Sequence, residues 1–120
     1  MPRSQMLVFS SPLDAAAEEE YNRWYSEKHL PDLMNVPGVI SATRYKLAHE
    51  VETLPGIIGN PQGYLAVYEI EGETAQDLSR FAQNLRKALE DGVADMSPTL
   101  SMTDISATFV IPITGRLVAK

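Results

Sequence analysis

The chain has 120 residues, 44% of them hydrophobic, with a net charge of −6 and no cysteine. That length suits one domain with a real core, and the apolar content argues against global disorder. Disulfides, thiolate metal sites and cysteine nucleophiles are excluded, and the negative charge without a basic cluster excludes a nucleic-acid or anionic-membrane footprint.

The opening MPRSQMLVFSSP holds only a short apolar run. It is too short for a signal-peptide core, and nothing elsewhere approaches a membrane span. With no cysteine, a reducing cytoplasm is the expected location. Residues 5–10, QMLVFS, read as a buried strand. The next residues, SPLD, predict a helix start, with Ser11 as cap, Pro12 in the first turn and Asp14 closing a capping box. The helix continues through AAAEEEYNRWYSEK. Ala17, Tyr21, Trp24 and Lys28 fall on one stripe, and Tyr21, Tyr25 and His29 on the next.

Pro31 lacks an N–H, and its ring excludes the carbonyl four residues back. The helix is therefore predicted to end near His29, with residues 31–35 forming a separate turn that Asp32 caps. A histidine at a helix C-terminus protonates more readily than one elsewhere, so His29 is expected to titrate near neutrality, as proton transfer needs. The plain alternative is a histidine that only caps its own helix.

Pro37-Gly38 marks a turn, and 39–48, VISATRYKLA, a strand. HEVETLPGIIGNPQG is a long loop, and 64–71, YLAVYEIE, is a third strand. Thr74 with Asp77 starts a second helix whose apolar stripe is Leu78, Phe81, Ala82, Leu85, Ala88 and Leu89, with Gly92 beyond its end. The last strand, 103–113, places Ile105, Ala107, Phe109, Ile111 and Ile113 on one face. The tail ITGRLVAK is long enough to reach a partner subunit.

The order β-α-β-β-α-β is that of the split, ferredoxin-like α+β fold, with two helices on one face of a four-stranded antiparallel sheet. Strands 2 and 3 carry large apolar residues on both parities, so both faces of the sheet are expected to be buried. One face of a lone chain would stay uncovered, and pairing of two sheets in a homodimer, enclosing a cavity, is the expected remedy.

The run N-x-W-Y-x-x-x-H-x-P-D followed by V-P-G-V, here Asn22, Trp24, Tyr25, His29, Pro31, Asp32 and Val36-Pro37-Gly38-Val39, resembles the signature of the dimeric α+β barrel superfamily in its EthD-like branch. The element order agrees over nearly the whole chain. The resemblance implies a homodimer of single-domain chains (1–120) whose sheets pack into a barrel. It also implies cofactor-free, metal-free chemistry of the kind seen in methylmuconolactone isomerase and polyketide cyclases. In such relatives the histidine of the motif lies in the substrate pocket, which maps to His29, and a tyrosine on the following strand maps to Tyr45. A second histidine near the end of that strand maps to His49. Catalytic cysteines of some relatives have no counterpart here, so a thiol-assisted mechanism is out of reach.

The expected activity is therefore proton movement at a carbon next to a carbonyl, with His29 as acid or base and Tyr45, Tyr64 or Tyr68 donating to the developing enolate. Trp24 and Tyr25 would line the pocket or pack the core. Isomerisation, cyclisation, dehydration and decarboxylation all begin this way, and the aromatic lining implies an apolar ring-containing substrate. Two alternatives stand beside it. One is a monooxygenase of the same superfamily, whose haem-degrading members use an Asn, Trp and His constellation. The other is a non-catalytic binding protein accessory to an oxygenase. Two histidines twenty residues apart and no H-x-x-x-H spacing argue against a metal site. GIIGNPQG lacks the spacing and lysine of a phosphate loop.

Overall fold

A computed structural model describes residues 3–120. Four strands, β1 (Ser4–Ser10), β2 (Val39–Lys46), β3 (Tyr64–Ile70) and β4 (Ser106–Val110), form one antiparallel sheet in the order β2-β3-β1-β4. The helical layer comprises α1 (Glu18–Trp24), α2 (Leu30–Leu33) and α3 (Ala75–Glu90). This is the expected ferredoxin-like α+β order.

The helix start differs from the predicted one. Asp14, not Ser11, is the cap, accepting the Ala17 N–H at 2.9 Å above a 3-10 turn at Ala15–Ala17. The extended backbone runs on past β1, so Pro12 bridges Leu100 and the Ser11 hydroxyl accepts the Gly63 N–H at 3.1 Å. By contrast, the Thr74–Asp77 capping box forms as read, with both reciprocal bonds present. Gly72, just before it, has φ +120°, and a Cβ there would lie 2.5 Å from the Asp77 Cβ, so only glycine fits.

The first helix does not stop at Pro31. Residues Tyr25–His29 form a π-helical turn, and the Leu30 N–H reaches back five residues to the Tyr25 carbonyl. Widening the helix by one residue separates the proline ring from the carbonyl it would otherwise strike, and the chain runs on through α2. Such single-turn π-bulges are frequent at functional sites.

The core lies between the helices and one face of the sheet. Met6, Ala66, Tyr68 and Ile70 meet Tyr21, Tyr25, Leu33, Leu78, Phe81 and Ala88 there. The pairing slips between Val39 and Ser41, leaving Ile40 as an extra residue on β2. Past this bulge Ala42 and Arg44 turn to the helix side, opposite Tyr68 and Ala66 of β3. The same register sends Tyr45, opposite Leu65, to the other face. That face carries Leu7, Phe9, Leu65 and Val67, each half-buried, with Tyr45 51% exposed. The expectation that both faces are buried thus holds in this chain for the helix side only. The tail from 111 onward is exposed. Among the described residues no helix is long and apolar enough to cross a membrane.

Candidate active site: an apolar cavity under the widened helix

A cavity of about 160 Å³ lies between the helices and the sheet. It sits within one chain, on the helix side of the sheet. The π-helical turn and its flanks contribute Trp24, Tyr25, His29 and Leu33, and α3 contributes Leu85 and Leu89. The floor comes from β1, β3 and the start of β4, and Met96 and Leu100 close one side from the loop after α3. Pro31 predicted a helix end near His29 and a separate turn after it. The widened turn instead brings His29 inward while the helix stays continuous.

His29 is only 6% exposed. Its ring stacks on Trp24 with centroids 4.6 Å apart and meets the edge of Tyr25 at 5.1 Å. These contacts fix the plane of the imidazole. Nδ1 is buried and has no hydrogen-bond partner. Burial pushes the imidazole below its ordinary value, and the backbone at Asp95 and the carboxylates of Asp32 and Asp95 oppose this without overcoming it. The predicted ease of protonation is overturned here. His29 is not at a free helix end, and desolvation disfavours its cation.

Tyr68 of β3 is fully buried in the same lining; its hydroxyl makes no hydrogen bond of good geometry, and the Tyr25 phenol is its polar neighbour. Burial raises its phenol well above the ordinary range, as does the neighbouring Tyr25 phenol. Buried polar groups are almost always hydrogen-bonded, and each orphan costs free energy. Here the two residues that carry them, His29 and Tyr68, both line one apolar cavity. The cavity lining contains no carboxylate, ammonium or guanidinium.

Charged side chains stand next in sequence to the lining residues His29, Leu33 and Met96. Lys28 Nζ lies 2.9 Å from Asp32 Oδ2 and 3.4 Å from Asp95 Oδ1. Asp32 is thus an ion-pair partner, not the cap of a separate turn. At Asp95 desolvation works against ionisation, but the Lys28 ammonium and the Trp24 indole N–H outweigh it and hold the carboxyl low. Asp95 precedes Met96, so these contacts tie the loop over the cavity to the π-helical turn.

The remaining expected site residues lie elsewhere. Tyr45 is on the uncovered sheet face, because the bulge in β2 inverts its side. His49 is exposed in the long loop, where Nε2 meets the Asn60 carbonyl at 2.9 Å. Tyr64 faces the helices but not the cavity. It donates to Glu18 Oε2 at 2.6 Å and accepts from Asn22 Nδ2 at 3.0 Å. Sequence reading missed Arg44, whose guanidinium packs over the Tyr25 ring at 4.4 Å. A bulge-shifted arginine in a strand gives no periodic signal. Among the described residues no group of three histidine, aspartate or glutamate side chains converges as a metal site would require.

The fold is shared with small proteins of the EthD and monooxygenase type. An ethyl tert-butyl ether degradation (EthD) family protein of Bacillus halodurans superposes with a TM-score of 0.53 over 94% of this chain and 100% of its own, at 10% identity. A monooxygenase of Streptomyces coelicolor, solved in complex with nanaomycin D, gives 0.52 over 98% and 94%, at 17% identity. A MhuD variant with two manganese protoporphyrin IX molecules per active site gives 0.52 over 96% and 99%, at 14% identity. No protein-family model matches the chain, and no curated protein matches it in sequence. The likeness is one of fold, and it agrees with the dimeric α+β barrel resemblance read from the Trp24–Tyr25–His29–Pro31 run.

Proposed function

We propose that this protein is a small-molecule enzyme that removes a proton from a ring carbon next to a carbonyl, or from a phenolic hydroxyl, inside the His29 cavity. The carrying observation is that His29 and Tyr68 belong to one apolar lining, and that each carries a buried polar atom, Nδ1 and the hydroxyl, without a hydrogen bond of good geometry. His29, kept neutral at pH 7 by burial, accepts the proton at Nδ1. Tyr68, kept protonated by burial, donates a hydrogen bond to the oxyanion that develops. Trp24 and Tyr25 hold the imidazole plane and flank the ring of the substrate.

The cavity volume matches the roughly 150 Å³ that accommodates benzene, so a single-ring substrate fits best. The absence of any charged group in the lining favours an uncharged one, since an unpaired buried carboxylate is strongly disfavoured. The enolate so formed leads to isomerisation, cyclisation or loss of a leaving group without a cofactor. A second reading has the same anion react with dioxygen, and the fold likeness to a monooxygenase holding nanaomycin D favours it. Pairing of two chains through the uncovered sheet face completes the proposal, in a cytoplasmic setting that suits a cysteine-free chain.

Hydrogen–deuterium exchange at the carbon next to the carbonyl of single-ring ketones, followed by NMR in D2O, tests this directly. Catalysed exchange that falls about a hundredfold or more in His29→Phe is expected, and oxygen consumption separates the two outcomes of the anion. Exchange that His29→Phe leaves unchanged would remove His29 from the chemistry. Ligands that bind without exchange would leave a binding protein.

A further inference from the structure

The cavity reading asks for something that balances a developing negative charge, yet the lining is uncharged. A half-buried cation, Arg44, lies behind the Tyr25 wall of the cavity. Arg44 projects from β2 into the helix layer, with its guanidinium carbon 4.4 Å from the Tyr25 ring centroid, 5.2 Å from that of Tyr64 and 5.5 Å from that of Tyr21. Nη1 donates to the Ser26 hydroxyl at 2.9 Å and Nη2 to Asn22 Oδ1 at 3.1 Å, while Nε is buried without a partner.

Among the described residues Arg44 has no ion pair. Glu18, the carboxylate nearest this cluster by its contacts, accepts from the Tyr64 hydroxyl. A half-buried cation without a counter-charge is costly in a resting protein. The cost is offset when an anion forms nearby in the low-dielectric interior. Tyr25 separates Arg44 from the cavity, and it faces His29 across one edge and the guanidinium across its ring.

The geometry points to Arg44 as the positioning residue that supplies the counter-charge for the oxyanion formed between His29 and Tyr68, acting through Tyr25. This rests on the proton-transfer reading above. Its charge is felt across the cluster: it eases ionisation of Tyr21, Tyr25 and Tyr68 alike, against the larger effect of burial. The other titratable groups around it are Tyr64 and Glu18 on its own side and His29 beyond Tyr25. A merely structural brace would need the flat guanidinium but not its charge.

The test uses 4-nitrophenol as a stand-in for the enolate. Its hydroxyl proton passes to His29, leaving a phenolate that absorbs in the visible, and binding is followed by the fluorescence of Trp24, the single tryptophan of the chain, which lines the cavity. At a fixed pH below the probe's own pKa, the wild-type chain should hold the phenolate in excess over its proportion in free solution. Arg44→Gln should lower the bound phenolate-to-phenol ratio about tenfold, the factor one pKa unit represents. Arg44→Lys, which keeps the charge and loses the plane, should stay within about threefold of wild type. Equal ratios in wild type and Arg44→Gln would overturn the inference and leave the cavity reading intact. A probe that leaves Trp24 fluorescence unchanged in the wild type would overturn both. Should Arg44→Gln fail to fold, Arg44→Lys decides alone: a bias retained supports the charge role, and a bias lost with the near-ultraviolet dichroism intact overturns it.

Discussion

Removing one oxygen atom from each of two buried tyrosines should change stability in opposite directions. Tyr21 and Tyr68 are both fully buried. The Tyr21 hydroxyl shares a 2.6 Å hydrogen bond with the buried Ser10 hydroxyl, whereas the Tyr68 hydroxyl makes none of good geometry. Tyr21→Phe loses that bond and strands Ser10, which costs about 1–3 kcal/mol. Tyr68→Phe keeps the ring volume and relieves a desolvated donor, so it should stabilise by about 1 kcal/mol or more. The two variants should then differ by at least about 2 kcal/mol, and Tyr68→Phe should melt about 3–5 °C above wild type. Urea unfolding followed by far-ultraviolet dichroism, at one protein concentration, measures both. The same Tyr68→Phe should lose catalysed exchange by about a hundredfold, as removal of an oxyanion donor does. A Tyr68→Phe variant less stable than wild type by about 1 kcal/mol would mean that its hydroxyl is satisfied in the folded protein. The cavity would then lack its waiting donor.

Burial of His29 sets a pH dependence of stability. Its folded pKa lies below the unfolded value near 6.5, so the unfolded chain binds the proton more readily. The contribution is present above about pH 6.5 and is lost as pH falls from there through the folded pKa; His29→Phe should flatten this limb in denaturant midpoints taken between pH 7.5 and 5, and an unchanged limb would refute the desolvation. Deleting Glu27 from the π-helical turn should force the regular helical register on Pro31, cost about 3 kcal/mol and end the response of Trp24 fluorescence to ring ligands. A fully stable variant would show that the widened turn does not serve the proline. A charge placed on the uncovered sheet face, Val67→Glu, should convert a dimer to monomer by light scattering, and an unaltered mass would move the proposed interface elsewhere.

By itself the sequence determined the elements and their order. Alternation through Ile105, Ala107 and Phe109 and the Thr74–Asp77 box before the Leu78–Leu89 stripe are local signals, set by side-chain period and by capping hydrogen bonds within a few residues, although β4 spans only Ser106–Val110 of the predicted 103–113 and leaves Ile111 and Ile113 exposed beyond it. The Trp24–Tyr25–His29–Pro31 run likewise marked the place where the candidate site lies. Three things were decided only by tertiary structure. The bulge at Val39–Ser41 depends on pairing with β3, and it alone turned Arg44 inward and Tyr45 outward. The π turn leaves no mark in the side-chain period, and through it a proline that reads as a stop became a passage. The charge state of His29 followed from desolvation by residues as distant as Met6 and Ala107 in one lining, and local sequence, which sees only a helix end, predicted the opposite direction.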